Sequence, residues 1–278
     1  MKNIYDHVSI KVSRVITNAY STSFSIGIRC LHKSLHNPIY SIYGFVRLSD
    51  EIVDSFSGYD QKRMLDQLEK DAFDAIEKGI SLNPVLNSFQ EVVNRFNIDH
   101  DLIRQFLNSM KMDLEERVYS NQEYELYILG SAEVVGLMCL KIFCEGDSEQ
   151  YEQLKIPAKK LGAAFQKINF LRDFKTDYFD LKRMYFPNLE IENFNAEAKK
   201  KIEEDIAKDF EEGYIGVKKL PKKARFGTYI AYKYYYELLM KIKNADVKGI
   251  LNNRVRLSNG KKYSIVIVSI IKKVFKLI

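Results

Sequence analysis

Two pairs of aspartates, Asp50 with Asp54 and Asp173 with Asp177, each stand four residues apart in otherwise apolar sequence. In a helix, residues four apart sit one turn above each other on the same face. The first pair closes the stretch Ile42–Phe56, where Tyr43, Arg47, Asp50 and Asp54 recur at i, i+4, i+7 and i+11 among Ile42, Phe45, Val46, Ile52, Val53 and Phe56. The second closes residues 162–178, where Gln166, Asn169, Asp173 and Asp177 recur at i, i+3, i+7 and i+11 among Phe165, Ile168, Phe170, Leu171 and Phe174. A helix apolar on most sides is normally buried, so a polar stripe along it should line an internal cavity. The ordinary alternative is a solvated acidic pair on a helix surface, and one stripe alone does not separate the two. Two matching stripes favour the cavity. If they face each other, four carboxylates converge and need a cation. Oxygen ligands without His or Cys suit a hard cation such as Mg²⁺, with Mn²⁺ as a substitute, which keeps waters and bridges to phosphates. Both pairs also fall near helix ends. Ser57-Gly58 reads as the first stop, placing Asp54 at the negative pole, where an acid costs roughly 0.3–1 kcal/mol.

The rest of the chain must hold these two helices face to face. Periodicity predicts helices over 6–19, 38–56, 60–78, 84–96, 100–119, 122–144, 149–178, 197–219, 222–243 and 263–277. Asn37-Pro38 and Asn83-Pro84 read as N-cap plus N1 starts, and Pro157, Pro187 and Pro221 read as breaks between periodic segments. Strand patterns, low-complexity linkers and repeats are absent. The simplest assembly is one all-α domain over 1–278, with 263–278 a basic and apolar C-terminal helix. Ser21-Thr22-Ser23-Phe24 reads as an N-cap box. Tyr232, Tyr234, Tyr235 and Tyr236 read as core-edge aromatics, and the four scattered histidines carry no assigned chemistry.

Composition narrows the partners. The chain has 278 residues, is 46% hydrophobic and 29% charged, and carries a net charge of +6. That charge is confined to the tail. After Asp246 there are eight basic residues and no acid, leaving 35 basic against 37 acidic residues elsewhere. A nucleic-acid binder would show a basic stripe in its body, so no nucleic acid is expected. Three cysteines without metal spacing fit a reducing cytosol, the N-terminus lacks a signal-peptide core, and no apolar run reaches the ~18 residues of a span. No Gly-rich loop supports a nucleotide cofactor.

In order, spacing and residue type, the chain resembles the squalene/phytoene synthase family of head-to-head prenyl transferases. The matching segments are Tyr43-x-x-x-Arg47-x-x-Asp50-Glu51-x-x-Asp54, Gln166-x-x-Asn169-x-x-Arg172-Asp173-x-x-x-Asp177, Arg183-Met184-Tyr185-Phe186-Pro187, Ser21-x-Ser23-Phe24, and Tyr127 with Val135-Gly136. It departs at Ser131-Ala132-Glu133, where the family has Val-Ala-Gly, at Thr176, often acidic, and at Lys182, a common glycine.

The resemblance implies an isoprenoid-synthase-type helical bundle around a central cavity. It implies Mg²⁺ on Asp50, Asp54, Asn169, Asp173 and Asp177, bridging to a prenyl diphosphate. Arg47, Arg172 and Arg183 would meet phosphate oxygens, with Ser21, Tyr43, Tyr127, Gln166 and Tyr235 bordering the substrate. The expected reaction joins two geranylgeranyl diphosphates through a cyclopropyl diphosphate to phytoene, without NADPH. The alternatives are a C15-using dehydrosqualene, presqualene diphosphate or squalene synthase, or a scaffold relative without chemistry, whose acidic pairs should have eroded. The expected location is cytosolic. Residues 263–278 read either as a helix packed on the domain or as a peripheral contact with the inner membrane face through Val274, Phe275, Leu277 and Ile278, with Lys272, Lys273 and Lys276 at the headgroups.

Overall fold

The computed structural model describes residues 2–275, apart from 116, 117, 188 and 190 and the side chains of Thr22 and Ser23. Lys276, Leu277 and Ile278 of the expected membrane contact lie outside the described residues, as does the side chain of Ser23. The helices are α1 (Lys2–Tyr20), α2 (Thr22–Arg29), α3 (Lys33–Ser55), α4 (Gln61–Lys78), α5 (Pro84–Phe96), α6 (His100–Met112), α7 (Asn121–Ile128), α8 (Val134–Cys144), α9 (Ser148–Lys175), α10 (Ala196–Lys219), α11 (Lys222–Lys243), α12 (Val247–Asn252) and α13 (Asn259–Val274). Among the described residues there is no strand, only an isolated bridge between Val118 and Met184. The fold is all-α, as the periodicity predicts.

Local chemistry explains most boundaries. Asn83 caps α5, accepting from the Val85 and Leu86 amides, with Pro84 at the start where its missing N–H costs nothing. Two proline readings are corrected. α3 begins at Lys33 behind a His32 cap, so Pro38 lies in its second turn, and Pro157 lies inside α9. Packing outweighs the lost bond in each case. Pro38 is buried, and the Pro157 ring lies on Gly216 so closely that a Cβ there would come within 2.4 Å. α6 ends at Met112 rather than 119, and α2 and α12 are short helices too brief to show a period.

Two helices expected to run on contain π-helical turns. Residues 129–133 separate α7 from α8, and residues 176–180 extend α9. An i→i+5 turn adds a residue and swings the following side chains around the axis. Asn121–Cys144 as a whole is long and apolar enough to cross a membrane, contrary to the sequence expectation, but 56% of its most apolar window is buried in the fold.

α3 is the spine of the first core, packed with α1, α4, α5, α6 and α8 around Phe45, which stacks on Phe89 at 4.0 Å. α9, α10 and α11 carry the second core. Backbones meet closely at glycines. A Cβ on Gly162 of α9 would stand 2.7 Å from the Ala132 carbonyl oxygen, whereas Gly260 of α13 has open space. Gly162→Ala is therefore expected to lower stability by about 1–3 kcal/mol through overpacking, while Gly260→Ala leaves it level or slightly raised. Thermal melts of the two variants check this; equal midpoints would contradict it.

Candidate functional site

The two polar stripes face one cavity. α3 contributes Tyr43, Arg47, Asp50 and Asp54, while α9 and its π turn contribute Gln166, Asn169, Arg172, Asp173 and Asp177. Tyr127 and Arg183 also line it. Away from the carboxylates the lining is apolar, with Phe24, Leu31, Ile39, Leu140 and Leu161. One end of the cavity is thus charged and the other greasy.

Guanidinium groups hold three of the four aspartates. Arg47 Nη1 donates to Asp50 Oδ2 at 2.8 Å, and Arg183 Nη1 donates to Asp54 Oδ1 at 2.7 Å. Arg172 Nε donates to both Asp173 oxygens at 3.1 Å, and Arg254 Nε reaches Asp173 Oδ1 at 2.5 Å. Asp177 has no side-chain partner among the described residues. Burial, joined by the charge of Asp173, raises its carboxyl to about 8. Burial likewise pushes Asp50 up to about 6 against the pull of Arg47, with Asp54 and Asp113 adding repulsion. At both carboxyls burial outweighs the positive charge that Arg47 and Arg183 bring, a deficit of compensating charge.

That deficit tests whether a divalent cation fits. Among the described residues no three His, Cys, Asp or Glu side chains gather tightly enough to enclose a metal unaided. Each face offers a carboxylate pair, the donor set of a hard cation that completes its shell with water and ligand oxygens. In addition, Arg47 Nε is buried and without a hydrogen-bond partner. A buried guanidinium N–H beside a cavity lacks an acceptor that a ligand oxygen would supply. The residues fit a metal and an oxyanion together.

Asp113 carries no sequence signal, because periodicity runs its helix on to 119 whereas the helix stops at Met112. This residue caps the end of α6 and lines the cavity, accepting from Tyr127 Oη at 2.6 Å and Tyr185 Oη at 3.0 Å. Burial raises it to about 6, opposed by Arg183. Arg183, 7% exposed, joins three elements. Its Nη2 donates to the carbonyls of Val53 on α3 and Asp113 after α6, and its backbone N–H donates to the Asp177 carbonyl. The neighbouring Lys182 has φ +55°, the left-handed conformation that explains why a glycine suits this position.

Two expected residues stand elsewhere. Ser21 is not among the lining residues; it caps α2, accepting from the Phe24 amide at 3.3 Å. Tyr235 lies behind the wall, stacked on Phe165 at 4.0 Å, and its Oη donates to Asn169 Oδ1 at 3.2 Å. Glu133, at the departure from Val-Ala-Gly, pairs with Lys159 at 2.9 Å and leaves the wall to Ser131, Ala132, Val135 and Gly136. Nothing local in the sequence marks Arg254, which pairs with Asp173, apart from the other tail cations.

Helices that surround a cavity with opposed aspartate stripes at one end and apolar walls at the other define an isoprenoid-synthase-type bundle. A crystal structure of a dehydrosqualene synthase in complex with ligand superposes with a TM-score of 0.83, covering 98% of both chains at 22% identity. The family model described as squalene/phytoene synthase matches residues 17–261, and the chain belongs to that family. Among curated relatives, phytoene synthase 1 of Solanum lycopersicum is 27% identical over 87% of this chain and 63% of its own length. Presqualene diphosphate synthase of Rhodopseudomonas palustris is 27% identical over 61% of this chain and 60% of its own. The chain thus spans a little under two thirds of these relatives.

The raised carboxyls give a pH dependence. Asp50, Asp113 and Asp177 hold protons in the fold that an unfolded chain, with aspartate near 3.8, has already released. The folded state then binds more protons than the unfolded one, so stability falls as pH rises from about 4 to about 8. In chelator, the thermal midpoint is expected to drop across this window, and Asp177→Asn to flatten its upper part. A midpoint that rises instead would overturn the charge assignment.

Proposed function

We propose that the chain is a prenyl transferase that condenses two prenyl diphosphates head to head. The observation that carries this reading is the pair of aspartate stripes opposed across a cavity whose far end is apolar, which suits molecules with a multiply charged head and a long hydrocarbon tail. Asp50 and Asp54 on one side, and Asn169, Asp173 and Asp177 on the other, would hold Mg²⁺. The metal, when bound, neutralises charge gathering on a departing diphosphate. Arg47 and Arg172 line the same end, where each can meet a diphosphate oxygen, Arg47 with its unpartnered Nε. A diphosphate adds negative charge to a cluster already short of positive charge, which is why cations must accompany it.

The remaining residues protect what ionisation leaves behind. Phe24 lies 5.1 Å from Tyr43 and 6.4 Å from Phe165, so aromatic rings border the middle of the cavity. Their negative faces stabilise an allylic cation, and the apolar walls exclude the water that would quench it. The fuller proposal is that two geranylgeranyl diphosphates give phytoene through a cyclopropyl diphosphate, ending in proton loss without NADPH. The named activity of the tomato relative supports it. A C15 reading is supported by the structural likeness to the dehydrosqualene synthase, which extends over nearly all of both chains.

The deciding experiment is incubation with Mg²⁺ and either farnesyl or geranylgeranyl diphosphate, with and without NADPH, followed by product identification. Phytoene from the C20 substrate alone is expected. A C30 product from the C15 substrate alone would replace the fuller proposal, and no product from either would remove the reaction. Asp→Asn at Asp50, Asp54, Asp173 or Asp177 is expected to abolish turnover in a folded protein; near-normal activity in any two would remove the metal role. Arg47→Ala is expected to weaken diphosphate binding about 10–150-fold, the loss of a charged hydrogen bond worth roughly 1.5–3 kcal/mol. Unchanged affinity in isothermal titration would count against that contact.

A further inference from the structure

α13 is amphipathic the wrong way round for a helix that only packs on a protein. One side rests on α11: Ile265 and Ser269 are buried, Lys261 pairs with Glu237 at 2.9 Å, and Lys273 covers the Phe226 ring at 4.3 Å. The other side carries Tyr263, Ile267, Ile270, Ile271, Val274 and Phe275, all exposed, with Val274 at 73% and Phe275 at 69%. Positions 263, 267, 270, 271 and 274 recur at helical spacing, so they form one continuous apolar stripe rather than scattered exposures. Val268, also exposed, widens the stripe on one side, and Lys272 stands one turn on from it at the stripe's edge.

Charge chooses what covers this face. Every charged residue after Asp246 is basic. A second copy pressing the same face against it across a two-fold axis would bring like charges together. An anionic bilayer surface offers the complement, with hydrocarbon for the stripe and headgroups for the lysines. Length agrees. Sixteen residues reach about 24 Å, short of a bilayer core, and α11 already occupies one side, so the helix can lie in the interface but not cross it.

We infer that α13 docks the protein reversibly on an anionic lipid surface. α11, on which it packs, lines the cavity with Gly227, Thr228 and Ala231, so the docking face stands one helix away from the apolar walls. The segment leading into α13 carries Arg254, which pairs with Asp173 at the charged end. The use of docking, to take lipophilic substrate from the bilayer and return hydrocarbon to it, rests on the proposed reaction. The docking itself rests on the face and its charges.

The test is vesicle co-sedimentation of the full chain without substrate, comparing phosphatidylcholine alone with a mixture holding about 30% phosphatidylglycerol. Binding is expected to the anionic vesicles, at least about ten-fold stronger than to neutral ones, and to weaken as salt rises from roughly 0.1 to 0.5 M. The double variant Ile267→Asp/Ile271→Asp is expected to lose about ten-fold or more of this binding, and Lys272→Glu to lose it on anionic vesicles only. Both should melt like the parent. No binding by the parent, equal binding to both vesicle types, or undiminished binding by the double variant would each overturn the inference. So would a dimer in sedimentation equilibrium that the double variant dissolves, because the face would then belong to a second copy. As no substrate is present, a failure here is separate from a failure of the proposed reaction.

Discussion

Arg183 is nearly withdrawn from water, and a guanidinium so placed costs several kcal/mol unless its donors are matched. They are matched by groups far apart in sequence: the Asp54 carboxylate, the Val53 carbonyl and the Asp113 carbonyl. This resolves an apparent conflict in α3. Asp54 sits at the negative end of its helix, where an acid is unfavourable, and Arg183 brings positive charge to that acid and to the adjoining carbonyl. The same residue ties the π turn bearing Asp177 to the ends of α3 and α6. This one buried cation thus bridges the two aspartate pairs, through the Asp54 carboxylate on one side and the Asp177 backbone carbonyl on the other.

The charged end of the cavity is therefore a cluster of carboxylates interleaved with arginines. Most of the ion pairs are short, yet Asp50, Asp113 and Asp177 still sit well above the ordinary carboxylate range because burial outweighs the neighbouring cations. Such a site is held together but not satisfied. A cation and an oxyanion arriving together would relieve both the surplus carboxylates and the orphaned Arg47 N–H. The tyrosines around Asp113 belong to the same logic. Tyr127 and Tyr185 donate to a carboxylate that would otherwise face an apolar wall unsupported.

Helical periodicity is local, and the features it governs are legible in the amino-acid sequence. The all-α class, both polar stripes and their apolar flanks follow from residues within three turns of one another, and the stripes face one cavity. The basic, apolar character of residues 263–275 is equally legible.

The residues that join the two stripes at the charged end come together through long-range packing. Asp113, Tyr185 and Arg254 join it through contacts spanning many tens of residues, such as the bond between Tyr185 and Asp113, and no local spacing encodes those. Ser21 and Tyr235 carried the right residue types, but one is spent on a helix cap and the other lies behind Asn169. Pro38 and Pro157 look like breaks because the local cost of a lost hydrogen bond is visible in sequence, whereas the burial that offsets it is not. Whether α13 turns its apolar side inward was likewise undecided until α11 took its other face, because periodicity identifies a stripe but not what lies opposite it.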